Sequence, residues 1–254
     1  MTPGRLKIEH DGRVAGPANI KYNSPFPCVN GRLGTGAMMG VVMHTMAGNL
    51  PGTTELFNDP AREASAHFGI AQDGEIWQYG PIGKGWEAWH AVAANKSWYG
   101  IEHADDGNPQ NPLTQAQLEA SAQLLELLSR FAGFPLQVTN DVGVKGYATH
   151  VMGGVAWNPN GHTCPGPGPR AGQRADIVKL AKLIRHGDPL PAGRHHSDGS
   201  TSLAFMADRQ DSTPAAILYQ TARNVDAFGT LAAAYINAGK WTAKVPSGMV
   251  LWLP

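Results

Sequence analysis

His44, His150 and Cys164 are the residues of this chain whose types could do chemistry together. Cys164 stands in the run Asn158-Pro-Asn-Gly-His-Thr-Cys-Pro-Gly-Pro-Gly-Pro-Arg170. Pro159, Pro165, Pro167 and Pro169 remove backbone donors and fix φ, and the glycines between them permit sharp turns. The run therefore reads as a shaped loop that can hold a side chain without a helix or strand behind it. His44 ends the apolar stretch Val41-Val42-Met43 and leads into Thr45-Met46-Ala47-Gly48. Cysteine sulfur and histidine nitrogen are zinc ligands, and three protein ligands leave the fourth tetrahedral position open, as a hydrolytic zinc requires. These residues make the chain a candidate enzyme.

The residue types alone leave other readings open. A single buried His or Cys is more often packing than ligation. The two cysteines, Cys28 and Cys164, could instead pair, although two in 254 residues do not make a disulfide scaffold. The two histidines lie 150 − 44 = 106 residues apart, so no short zinc-finger spacing is present.

The elements that must position these side chains read as an α/β domain. Leu6 to His10 is expected as a short edge strand, followed by a Pro- and Gly-rich loop through Gly36. Met39 to Met43 reads as a buried central strand with His44 at its exit. Thr53 to Ala64 should hold a short helix and a turn at Asp59-Pro60. Ala66–Ala71 and Glu75–Tyr79 flank Gln72-Asp73-Gly74, a hairpin signal. Trp98 to His103 is a further strand, with Glu102 near its end. Thr114 caps a long helix, with Gln117 at the capping-box position and Gly133 and Pro135 ending it. Gln173 to His186 is the last helix of this part, and Ile177, Leu180, Ala181 and Ile184 line one face of it.

Composition narrows the function classes. Lys plus Arg and Asp plus Glu each number 20, so net charge is zero and gives no footprint for nucleic acid or an anionic membrane. No segment approaches the roughly 20 unbroken apolar residues of a membrane span. Met1-Thr-Pro-Gly-Arg-Leu-Lys is followed by no apolar stretch, so no signal peptide is expected.

Taken in order, the local contexts Val-Val-Met-His44, Ser65-Ala-His-Phe-Gly-Ile-Ala-Gln-Asp-Gly-Glu-Ile-Trp-Gln78, Ala88-Trp-His-Ala91, Tyr99-Gly-Ile-Glu102, His150 and His162-Thr-Cys-Pro-Gly166 resemble the type 2 amidase and peptidoglycan-recognition family. These zinc amidases cut N-acetylmuramoyl-L-alanine bonds, and the family includes phage endolysins and bacterial recycling amidases. The resemblance covers roughly residues 38 to 186. It implies a mixed central β-sheet flanked by helices, one catalytic Zn2+ held by His44, His150 and Cys164, and Glu102 as the acid/base residue. Cys164 in the third ligand position is that of the phage-lysozyme and recognition-protein branch; the recycling branch has Asp there. Where the family often carries a Lys that steadies the oxyanion, this chain has His162, whose imidazole can donate a hydrogen bond. Where the phage-lysozyme branch uses a Tyr, this chain has Ala66, which shifts the burden to Glu102. His67, Trp86, Trp89 and His90 are the candidates for substrate contact, with core packing the alternative for each.

The expected organisation is a catalytic domain over 1–187, a linker over 188–201 dense in loop formers, and a small α+β domain over 202–254. His195-His196 falls in that linker and reads as solvated. Within the last domain the order strand–helix–helix–strand, with Asp211-Ser-Thr before the first helix and Pro246-Ser-Gly-Met-Val-Leu251 at the end, looks like a LysM module. Such modules bind N-acetylglucosamine-containing glycans; a helical cap or dimerisation module is the alternative. The resemblance implies peptidoglycan as partner and, with no export signal, an endolysin made in the host cytoplasm that acts at the cell wall after release. A non-catalytic peptidoglycan-recognition protein on the same scaffold is the second reading.

Overall fold

The computed structural model describes residues 5–16, 18, 20–22, 38–83, 86–187, 193–195 and 201–203. The chain divides into two units, Met1–Asp188 and Pro189–Pro254.

The first unit is built on a six-stranded mixed sheet. Its strands are β3 (Ile20–Tyr22), β4 (Gly40–Thr45), β5 (Phe68–Ile70), β6 (Ile76–Gln78), β7 (Trp98–His103) and β8 (Gly146–Thr149), in the spatial order β3-β6-β5-β7-β4-β8. Only β5 and β6 run antiparallel; every other neighbouring pair is parallel. β4 lies between β7 and β8, and Val41, Val42 and Met43 are wholly buried. A central parallel strand covered on both faces calls for such an unbroken apolar run. A separate antiparallel pair, β1 (Lys7–Ile8) and β2 (Val14–Ala15), precedes the sheet.

One sheet face packs on two long helices, α2 (Gln115–Ala132) and α4 (Arg170–His186). The Thr114 hydroxyl and the Gln117 side chain form the expected reciprocal capping box, and Gly133 ends α2 in the left-handed conformation at φ 73°. His103 points to this face, where its Nε2 lies 2.8 Å from Ser121 Oγ of α2. The opposite face carries Val42, Ala148 and Trp98, which pack with Ala91, Ala94 and Trp157. Helix α1 (Leu50–Asn58) and the short helix α3 (Gly154–Trp157) complete the unit.

Several expectations shift. Helix α1 starts at Leu50 rather than Thr53, because Asn49 Oδ1 accepts the Gly52 N–H at 3.0 Å and Pro51 occupies the first turn. Helix α4 starts at Arg170 rather than Gln173. Strands β2 and β3 form inside the stretch expected to be loop up to Gly36. Gln78 accepts the Val14 N–H at 2.7 Å and donates to the Gly12 carbonyl, while β3 pairs with β6. Residues 23–37, which include Cys28, lie outside the described residues.

In the second unit, β9 (Gly193–His195) pairs antiparallel with β10 (Thr201–Leu203), a ribbon that falls in and just beyond the stretch expected as linker. The helices and strands expected between Ala204 and Pro254 lie outside the described residues. Among the described residues, no helix is long and apolar enough to cross a membrane.

Candidate metal centre

Parallel register sets the site. His44 on β4 pairs with Glu102 on β7, and Glu102 also pairs with Gly69 on β5. Residues paired across parallel strands project to the same sheet face, so His44 and Glu102 are side by side. β8 delivers His150 immediately after its last residue, at the start of a 3-10 turn, His150–Gly153. The Pro/Gly loop then returns Cys164 to the same spot, anchored by the Val151 N–H donating to the Cys164 carbonyl at 3.1 Å.

The ligand atoms of His44, His150 and Cys164 all lie within 4.8 Å of one another. Cys164 Sγ is 3.6 Å from His44 Nδ1 and receives the Thr45 N–H at 3.4 Å. His44 and His150 are 3 % and 5 % exposed. His150 Nε2 lies 2.8 Å from the Trp157 carbonyl, which can only accept, so Nε2 carries the proton and Nδ1 keeps its lone pair. That buried Nδ1 has no hydrogen-bond partner. An orphaned buried lone pair beside a thiol and a second imidazole is a donor set that fits Zn2+.

The electrostatics favour neutral ligands. Burial, followed by the neighbouring His150, His90 and His103, holds the His44 pKa well below its ordinary value. His150 is lowered by burial and then raised in part by its bond to Trp157. Burial pushes the Cys164 thiol up, with Glu102 adding to the shift, while the Thr45 N–H and the Arg170 charge oppose it. A thiol so protected loses its proton when a cation takes its place, which couples metal binding to proton release.

Glu102 Oε1 lies 4.0 Å from His44 Nδ1, and Oε2 is buried without a hydrogen-bond partner. Burial, reinforced by the nearby Asp105, pushes the Glu102 carboxyl up to about 8. His162 is exposed on the loop, and its ring meets that of His150 edge-on at 4.7 Å between centroids. Its N–H donates to Asn158 Oδ1 at 3.2 Å, and its carbonyl accepts from the Asn158 amide.

The four candidates for substrate contact separate. Trp86 and Trp89 are half-buried. Trp86 covers Gly80, and Trp89 is tied through its backbone to Ser65. His67 is 0 % exposed, and its Nδ1 accepts the Gly100 N–H at 3.0 Å, so the proton sits on the partnerless Nε2. His90 uses both ring nitrogens inside the protein: Nδ1 lies 3.0 Å from His44 Nε2, and Nε2 lies 3.0 Å from the Trp98 carbonyl. Burial lowers the His90 pKa to about 4.

Arg170 was not among the residues singled out in the sequence. It is 1 % exposed, and its guanidinium donates to Thr45 Oγ1 at 3.1 Å and to the carbonyls of His103, Ala104 and Asn111. It thus ties the ends of β4 and β7 to the start of α4 beside Cys164. An arginine in a Pro/Gly-rich run signals only an exposed charge.

A parallel-rich α/β sheet with a buried His, His, Cys cluster and a carboxylate at its strand ends matches a known family. The sequence profile of the Amidase_2 family, N-acetylmuramoyl-L-alanine amidase, matches residues 34–167, and the chain belongs to this family. It is 39% identical over 89 residues to N-acetylmuramoyl-L-alanine amidase A of Achromobacter lyticus, an alignment covering 33% of this chain and 47% of that protein. The chain thus spans about half the length of that relative. The fold is similar to the crystal structure of Staphylococcus aureus hydrolase AmiA in complex with its ligand. The TM-score is 0.52 at 17% identity, with 70% of this chain and 89% of that chain covered.

Proposed function

We propose that the chain is a zinc-dependent amidase that hydrolyses the bond between the lactyl group of N-acetylmuramic acid and L-alanine in peptidoglycan. The observation that carries this reading is the convergence of His44, His150 and Cys164 within 4.8 Å, with the buried His150 Nδ1 left unpartnered and Glu102 Oε1 4.0 Å from His44 Nδ1. Family membership supplies the bond that is cut.

When bound, zinc supplies Lewis-acid activation of the attacking water and of the amide carbonyl. His44 and His150 present neutral imidazoles to it, and Cys164 gives up its proton there. Glu102 is the group that takes the proton of the attacking water on a carboxylate oxygen and returns it to the departing amine. The Glu102 carboxyl, pushed up to about 8 by burial, would be favoured as carboxylate by an opposite charge held nearby. To His162, edge-on to His150 at the exposed rim, we assign the hydrogen bond to the developing oxyanion. Trp86 and Trp89 offer partly exposed aromatic faces to a sugar ring.

The biological setting we propose is that of a phage endolysin acting at the bacterial wall, with the segment beyond residue 201 as a LysM-like glycan-binding module. The cysteine in the third ligand position, shared with the phage-lysozyme branch, supports the former. The pattern from Asp211 to Leu251 supports the latter. Tethering to a wall-binding module would raise the local substrate concentration.

Cys164→Ser tests the catalytic reading. The variant should fold, lose stoichiometric zinc and lose peptidoglycan hydrolysis. Full hydrolysis by zinc-free variant protein would overturn the mechanism.

A further inference from the structure

We propose that His90 is a positioning residue that decides, through one directed hydrogen-bond chain, which nitrogen of His44 is offered to a metal. The inference rests on the reading of His44, His150 and Cys164 as a metal site. The chain begins at the Trp98 carbonyl, 3.0 Å from His90 Nε2. A carbonyl only accepts, so His90 Nε2 carries a proton. A neutral imidazole has one donor and one acceptor nitrogen. Nδ1 of His90 is then an acceptor, and the bond to His44 at 3.0 Å is donated by His44 Nε2–H. His44 Nδ1 is left with its lone pair, 3.6 Å from Cys164 Sγ. The other tautomer of His44 would set two lone pairs against each other across the same 3.0 Å.

His150 reaches the same state by a single bond to the Trp157 carbonyl. His44 differs in having a whole imidazole between it and its carbonyl, and that imidazole must itself be held. The segment from His90 to Gly100 holds it. Asn95 Oδ1 accepts the N–H of His90 at 2.9 Å and that of Ala91 at 2.7 Å. Val92 follows at φ 42°, left-handed backbone that a β-branched residue adopts only when its surroundings impose it. Gly100 leaves room for the ring, because a Cβ there would lie 2.6 Å from His90 Cγ. Asn95 and Gly100 supply none of the candidate ligand atoms, yet Asn95 holds the backbone at His90 and Gly100 leaves space for its ring.

The test uses the full-length protein with 15N-labelled histidine, first without metal at mildly alkaline pH. NMR of His44 should show the proton on Nε2 and an unprotonated Nδ1. His90→Phe should abolish that fixed tautomer and weaken zinc binding by about 10–100-fold, the range for lost outer-shell partners, measured by competition with a chromophoric chelator. His90→Gln, whose amide can both accept from His44 and donate to Trp98, should restore most of the affinity and the tautomer, which mere space-filling would not. Asn95→Ala should fall between wild type and His90→Phe. A proton on Nδ1 of His44 in the wild-type protein would overturn the relay, and that measurement needs no variant to fold. Unchanged tautomer and zinc affinity in His90→Phe would overturn it equally. Failure of the wild-type protein to bind zinc would overturn the metal reading instead, and the metal-free spectrum separates the two failures.

Discussion

At the scale of single residues, a titrating carboxylate is what separates Glu102 from an uncharged isostere. Its Oε1 lies 4.0 Å from His44 Nδ1, which sets the carboxylate beside the candidate ligand cluster. Glu102→Gln keeps the shape and removes the titrating oxygen. Zinc content should be unchanged, and turnover should fall by roughly 10²–10⁴-fold, the usual contribution of an acid–base group. Near-normal turnover would move the base elsewhere. His44, His150 and Cys164, which converge in the fold, were singled out in the sequence by residue type, and Glu102 by the family resemblance alone. Arg170 and Asn95 were not. Arg170 acts on the carbonyls of His103 and Ala104, far away in the chain, and Asn95 acts on the backbone N–H groups of its own loop. Nothing in a residue type announces a backbone partner.

At the scale of elements, the parallel register of β4 with β7 is what makes the site. A slip of one residue would send Glu102 to the face occupied by α2 and bring His103 beside His44. Gly100 sits on the same strand face as Glu102, two residues before it, and its missing side chain admits the His90 ring. Gly100→Ala should therefore cost about 1–3 kcal/mol of stability through overpacking and weaken zinc binding as well. Denaturant unfolding and chelator competition on the same variant check both effects; wild-type values in each would contradict the packing argument. Strand β7 was readable to the residue from Trp98 to His103, as was the cap of α2 at Thr114, because both signals are local. β3 and β8 are short and lack a strong pattern, and each exists through pairing with a distant segment. β8 matters more of the two, since it delivers His150.

At the scale of the whole molecule, the fold keeps several histidines neutral in its interior. Burial holds the His67 pKa well below the ordinary value of 6.5, and His90 and His103 are each lowered to about 4. The unfolded chain takes up these protons near 6.5 while the folded chain resists them. The stability they contribute is therefore fully present above about pH 6.5 and lost as pH falls through about 4. His103 is bonded through Nε2 to Ser121 on the α2 face and through Nδ1 to the His44 backbone carbonyl at 3.0 Å. In metal-free protein, His103→Gln should flatten the pH dependence of unfolding free energy between pH 6.5 and 4, by up to about 3 kcal/mol across the window. An unchanged slope would mean that His103 titrates in the fold as it does in the unfolded chain.

The central claim is the bond that this molecule cuts and the metal dependence of the cut. Purified peptidoglycan should be digested with and without a chelator while new chain ends are followed. The account predicts free L-alanine amino termini that disappear with chelator and return with zinc, and no new reducing sugars. New reducing ends, or amino termini released equally well in the presence of chelator, would contradict it.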